Sequence, residues 1–88
     1  MKLIKASKAG TYESNDITIM LFPSENLEIE LESNVLETFG DDIRRVIKET
    51  LLEYGIEQVK VKAIDKGALD FTIRARLLTA LKRGVMND

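Results

Sequence analysis

Leu27-Glu28-Ile29-Glu30-Leu31-Glu32 decides the fold. Apolar and acidic residues alternate through it without a break, so one face must be core and the other water, which is a half-buried strand. Its three glutamates also discourage edge-to-edge pairing with other chains if the strand lies at a sheet edge. Working outward from it, Ser24-Glu25-Asn26 reads as a turn and Pro23 as the end of a preceding strand. That strand, Ile17 to Phe22, alternates Ile17, Ile19 and Leu21 with Thr18, Met20 and Phe22, a pattern apolar on both faces. Before it, Glu13-Ser14-Asn15-Asp16 reads as a turn, because Ser, Asn and Asp side chains bond to nearby backbone. Ala9 to Tyr12 reads as a further short strand.

After Leu31, Asn34 and Glu37 have the spacing of a capping box. The helix it would open shows Leu36, Phe39, Ile43, Val46, Ile47, Leu51 and Tyr54 at helical spacing, with Gly55 as its stop. Gly40 lies within it, so a start at Asp41 is the alternative. Val59, Val61 and Ala63 alternate with Lys60, Lys62 and Ile64 in another strand, which Asp65-Lys66-Gly67 breaks. Leu69, Ile73, Leu77 and Leu81 then recur every fourth residue, with Arg74, Arg76, Lys82 and Arg83 on the wet side of a second helix. Leu69, Phe71, Ile73 and Ala75 also alternate, but the later leucines fit no strand. The expected fold is α+β: two helices packed on one face of a small, largely antiparallel sheet. At 88 residues the chain is expected to form a single domain spanning 1–88, with a thin core.

Composition narrows the function. With no cysteine, disulfides, thiolate metal sites and a cysteine nucleophile are excluded. With no histidine, the commonest general base and metal ligand are missing. No acidic run has calcium-loop spacing, and no glycine loop suits phosphate, so neither a metal site nor a catalytic residue is expected. Met1 to Ala9 carries Lys2, Lys5 and Lys8 but no apolar run, and no stretch reaches membrane-spanning length. A soluble, cytoplasmic chain that binds neither membrane nor nucleic acid is expected, the net charge being −2. Between Lys8 and Arg44 every charged residue is acidic. That stretch is either a solvated surface or a docking face for a basic partner.

Such a chain would carry chemistry attached to it, and hydroxyls are the handles available. Of Ser7, Ser14, Ser24 and Ser33, both Ser14 and Ser24 sit in expected turns, and sequence physics does not choose between them.

Ala9-Gly10-Thr11-Tyr12-Glu13-Ser14-Asn15-Asp16 resembles the N-terminal signature of the citrate lyase acyl carrier proteins, the gamma subunits, which reads A-G-T-hydrophobic-E-S-x-D. Phe39-Gly40-Asp41-Asp42-Ile43-Arg44 resembles the family's helix start. Asp65-Lys66-Gly67-Ala68-Leu69-Asp70, with Arg74-Ala75-Arg76-Leu77, resembles its C-terminal block. Three blocks in order make the match specific. The resemblance implies that Ser14 carries 2'-(5''-phosphoribosyl)-3'-dephospho-CoA, attached by a dedicated prosthetic-group transferase and acetylated on its thiol by an acetate ligase. It implies an alpha subunit that exchanges acetyl for citrate on that thiol, and a beta subunit that cleaves the citryl thioester to oxaloacetate. The carrier would itself be non-catalytic. Glu13 and Asp16, flanking Ser14, would meet a partner gripping the arm's base. The carrier of malonate decarboxylase is the nearest rival, the A-G-T-x-E-S start and D-K-G-A-L-D block favouring citrate lyase. A cofactor-free assembly or regulatory subunit and a nucleotide- or RNA-binding α+β domain are rivals of other classes.

Overall fold

The structure, a computed structural model, describes residues 2–86; the ends of the expected domain, Met1, Asn87 and Asp88, lie outside the described residues. The elements run β1 (Ser7–Gly10), β2 (Ile17–Pro23), β3 (Glu28–Ser33), α1 (Leu36–Tyr54), β4 (Val59–Asp65) and α2 (Asp70–Val85). The strands form one sheet in the order β1-β2-β4-β3. β1 pairs antiparallel with β2, and β2 with β4; β3 joins β4 in parallel at the edge, after the α1 crossover. The expected α+β architecture is therefore present, the sheet being mixed but mostly antiparallel.

Register puts the apolar residues in one layer. Ile19 faces Ala63 and Leu21 faces Val61 across β2 and β4, and Ile29 and Leu31 extend those rows onto β3. The β2 and β4 members are fully buried beneath Ile43, Ile47 and Leu51 of α1 and Ile73, Leu77 and Leu81 of α2. Leu3 completes this core, held there as Ile4 N–H donates to Gly84 C=O.

Several local expectations shift. β1 spans Ser7–Gly10 rather than Ala9 to Tyr12, because Gly10 turns to φ +101° and leads the chain out of the sheet. β2 buries Ile17, Ile19 and Leu21 on one face; on the other Thr18 is covered but Phe22 is exposed. Leu27 precedes β3 and is exposed, and Ile29 and Leu31 are only half-buried, since an edge strand has a neighbour on one side alone. No capping box forms. α1 begins at Leu36, its start held by Ser33 Oγ, which accepts the Val35 N–H at 3.1 Å. The helix runs through Gly40, which is buried, so a start at Asp41 does not occur. Its first turn overhangs the core and leaves Leu36 and Phe39 exposed. Leu69 likewise precedes α2 and is exposed.

On the open sheet face the acidic strand lies beside a basic one. Glu30 stands opposite Lys62 in register, and its carboxylate pairs with Lys60 at 3.4 Å. The glutamates of β3 are thus a solvated face interleaved with cations. Because Ile29 is half-buried, Ile29→Ala should cost about 1–2 kcal/mol, less than the ~2–5 kcal/mol of a fully buried isoleucine. Glu30→Gln should change stability by less than about 0.5 kcal/mol, as an exposed ion pair contributes little. Urea melts check both, and equal losses would contradict the face assignment.

Candidate functional site

Ser14 lies at the tip of the β1–β2 connection, and each neighbour in its motif has a mechanical part. Gly10 comes first. A Cβ there would stand 1.8 Å from the Ile17 carbonyl oxygen, and φ is +101°, so the position admits only glycine. Thr11 follows and braces the loop three ways. Its hydroxyl donates to Asp16 Oδ2 at 2.6 Å and accepts the Glu13 N–H at 3.2 Å, while its carbonyl accepts the Thr18 hydroxyl at 2.7 Å. Residues 13–16 then close a turn, Asp16 N–H donating to Glu13 C=O at 3.2 Å. Asn15 takes φ +65°, a left-handed conformation that asparagine tolerates better than most residues.

The turn is pinned from outside as well. Asn15 N–H donates to Lys66 C=O at 2.8 Å, and Lys66 N–H donates to Asp16 C=O at 2.9 Å, so the β2–β4 ladder continues past the strand ends. Lys66 belongs to a loop with its own anchor. Buried Asp65 accepts the Gly67 and Ala68 N–H groups at 3.1 and 2.9 Å and the Ser33 hydroxyl at 2.8 Å. One carboxylate therefore fixes both the loop under the Ser14 turn and, through Ser33, the start of α1.

Asp16 is the second anchor. Arg76 of α2 grips it with two parallel bonds, Nε to Oδ1 at 3.0 Å and Nη2 to Oδ2 at 2.7 Å. The fork geometry suits a carboxylate. Ile17 N–H donates to Oδ1 at 2.8 Å. These bonds, that of Arg76 foremost, hold the Asp16 carboxyl well below the usual carboxylate range, against the burial that would raise it. The same bond raises Arg76. This corrects two expectations. Asp16 is buried and fully engaged, so it is a brace rather than a group offered to a partner, and Arg76 is not simply on the wet side of α2. Glu13 is exposed beside Ser14.

The serines now separate. Ser7 Oγ donates to Ala80 C=O, Ser24 Oγ accepts the Asn26 N–H, and Ser33 Oγ bonds Asp65 and Val35. Ser14 is exposed, and its hydroxyl has no hydrogen-bond partner among the described residues. Ala9 to Asp16, Asp65 to Asp70 and Arg74 to Leu77, far apart in the chain, thus converge to hold up one free hydroxyl.

Comparison with known proteins decides the family. The acyl carrier family model described as malonate decarboxylase delta subunit matches residues 4–84. The chain is 51% identical to the citrate lyase acyl carrier protein of Lactobacillus helveticus (strain DPC 4571), over 94% of this chain and 87% of the relative. The chain belongs to the citrate lyase acyl carrier proteins. The counterpart from Leuconostoc mesenteroides subsp. cremoris is 50% identical, over 97% of this chain and 89% of that one. A chain of the Pseudomonas malonate decarboxylase hetero-tetramer, solved with malonate, shares the fold at a TM-score of 0.75 and 16% identity, covering 94% of this chain and 91% of that one. As a citrate lyase acyl carrier protein, the chain is a non-catalytic carrier subunit.

Proposed function

We propose that the chain, acting as one carrier domain, carries the acetyl and citryl groups of a cytoplasmic citrate lyase on 2'-(5''-phosphoribosyl)-3'-dephospho-CoA joined to Ser14. The observation behind the attachment point is the state of the hydroxyls: Ser14 alone among the serines is exposed without a hydrogen-bond partner, while Ser7, Ser24 and Ser33 are engaged. An exposed hydroxyl at a turn tip fits a bulky covalent group, because nothing need be unmade to receive it. When attached, the group supplies a terminal thiol that holds acyl groups as thioesters, better acyl donors than carboxylates. The protein's own part is mechanical. Thr11, Asp16, Arg76 and the Asp65 loop hold the base of the arm in one place, so its far end samples a limited volume at high effective concentration. The partners that follow are the lyase's alpha and beta subunits, the transferase that modifies Ser14 and the ligase that acetylates the thiol. Among the described residues no helix is long and apolar enough to cross a membrane.

Co-expression with the transferase and the synthase of its precursor should add one group, heavier than phosphopantetheine, to the intact chain, and peptide mapping should find it on Ser14. A mass gain mapped to another residue would overturn the site, and a chain unmodified even in its native host would overturn the carrier mechanism.

A further inference from the structure

Next to the Ser14 turn the surface opens into a groove of about 550 Å³, within the size range of small-molecule sites. Val35, just before α1, with Phe39 and Ile43 of α1, walls one side, and Gly67, Ala68 and Leu69 of the β4–α2 loop wall the other. Phe39 and Leu69 are 50% and 62% exposed, large apolar surface that the fold itself leaves uncovered. Asp42 and Asp70, both exposed, also line it. Arg45 is there too, but it already faces Glu49 at 3.3 Å. The groove touches the turn directly. A Cβ added to Gly67 would lie 3.6 Å from Asn15 Oδ1, and the residue before Gly67 accepts the Asn15 N–H.

We propose that this groove is a subsite for the adenosine portion of the group carried on Ser14; the inference rests on the attachment proposed above. Connectivity selects the fragment. The phosphoribosyl unit joins serine directly to the adenosine ribose, and the pantetheine lies farther out, beyond the pyrophosphate. Adenosine is therefore the part tethered close to the groove wall. Lining chemistry agrees. The Phe39 ring offers a face for a purine to stack on. The Asp42 and Asp70 carboxylates can accept the N–H bonds of an exocyclic amine. The same carboxylates repel phosphates, which keeps the pyrophosphate at the mouth and directs the thiol end outward. A short tether puts the base at about millimolar effective concentration, so modest affinity suffices. A base held that loosely would steady the arm between transfers and still release it to a partner's active site.

The test is NMR on isotope-labelled chain before and after loading, with loading followed by intact mass. In the loaded chain the amides of Phe39, Gly67, Ala68 and Leu69 should shift, and adenine H2 or H8 should show nuclear Overhauser contacts to the Phe39 ring. Phe39→Ala should load fully and keep its circular dichroism, yet return the Ala68 and Leu69 amides to their unmodified positions. Full loading on Ser14 with shifts confined to residues 13–17 would overturn the subsite and leave the attachment standing. Failure to load at Ser14 would overturn the attachment, and the subsite with it. Groove shifts that appear only when the other lyase subunits are added would make the groove a protein-docking face and overturn the nucleotide site.

Discussion

A lyase reconstituted with Ser14→Ala carrier should release no oxaloacetate above background, while the carrier itself melts as the unaltered chain does. Both halves follow from the environment of one hydroxyl. It is exposed and bonds to no described residue, so deleting its oxygen should change stability by less than about 0.5 kcal/mol. Its loss nonetheless removes the only covalent handle proposed for the thiol. The other serines do not offer a free exposed hydroxyl in its place. There is no cysteine to carry an acyl group and no histidine to assist one. Ser7 and Ser33 have hydroxyls bonded within the fold, the first to α2 and the second to the Asp65 anchor. Ser24→Ala is the matched control. Ser24 also lies in a turn, but its oxygen is engaged by the Asn26 N–H, and its replacement should leave loading and turnover intact. Oxaloacetate release from the Ser14→Ala complex, or its loss with Ser24→Ala, would refute the assignment.

What the sequence shows of this molecule is what local periodicity can carry. β4 alternates because one face is core, and Ile73, Leu77 and Leu81 recur because α2 lies flat on the sheet. The helix starts are not legible in that way. Asn34 and Glu37 have capping-box spacing, yet the Val35 N–H goes to Ser33, whose hydroxyl is oriented by Asp65, thirty-two residues away. A cap that depends on a distant strand leaves no local trace. Leu36, Phe39 and Leu69 fit helical spacing and still miss the core, because the ends of both helices project past the sheet toward the groove. The Asp16 brace fails to show for a related reason. Beside Ser14 an aspartate reads as an exposed flank. Only the fold reveals that one of the 13 cations, Arg76, sixty positions on, reaches back to it. One usable signal was present: Asp16, Asp65 and Arg76 all lie in the blocks that resemble the family.

Among the contacts that hold the Ser14 turn, the Asp16–Arg76 brace should be the most costly to break. Arg76→Ala leaves buried Asp16 without its cation. Removing one partner of an ion pair leaves the other charge uncompensated; because the Arg76 side chain is 40% exposed, water can partly replace it, and the loss should be smaller than for a fully buried pair. Arg76→Lys should recover only part, since an ammonium cannot make the two parallel bonds. The pH dependence separates this electrostatic role from plain packing. The folded Asp16 carboxyl titrates below its unfolded value of about 3.9. A depressed folded value means that its stabilisation is fully present above the unfolded value and is lost as pH falls toward the folded one. In urea melts the gap between the unaltered chain and Arg76→Ala should hold steady from pH 7 to about pH 5 and narrow below about pH 4. A gap that stayed constant into acid would assign Arg76 a packing role alone. The consequence for function is positional: with the brace gone the turn loses its tie to α2 and keeps only its bonds to the β1–β2 loop and Lys66, so transfer of the prosthetic group to Ser14 should slow even where the chain remains folded.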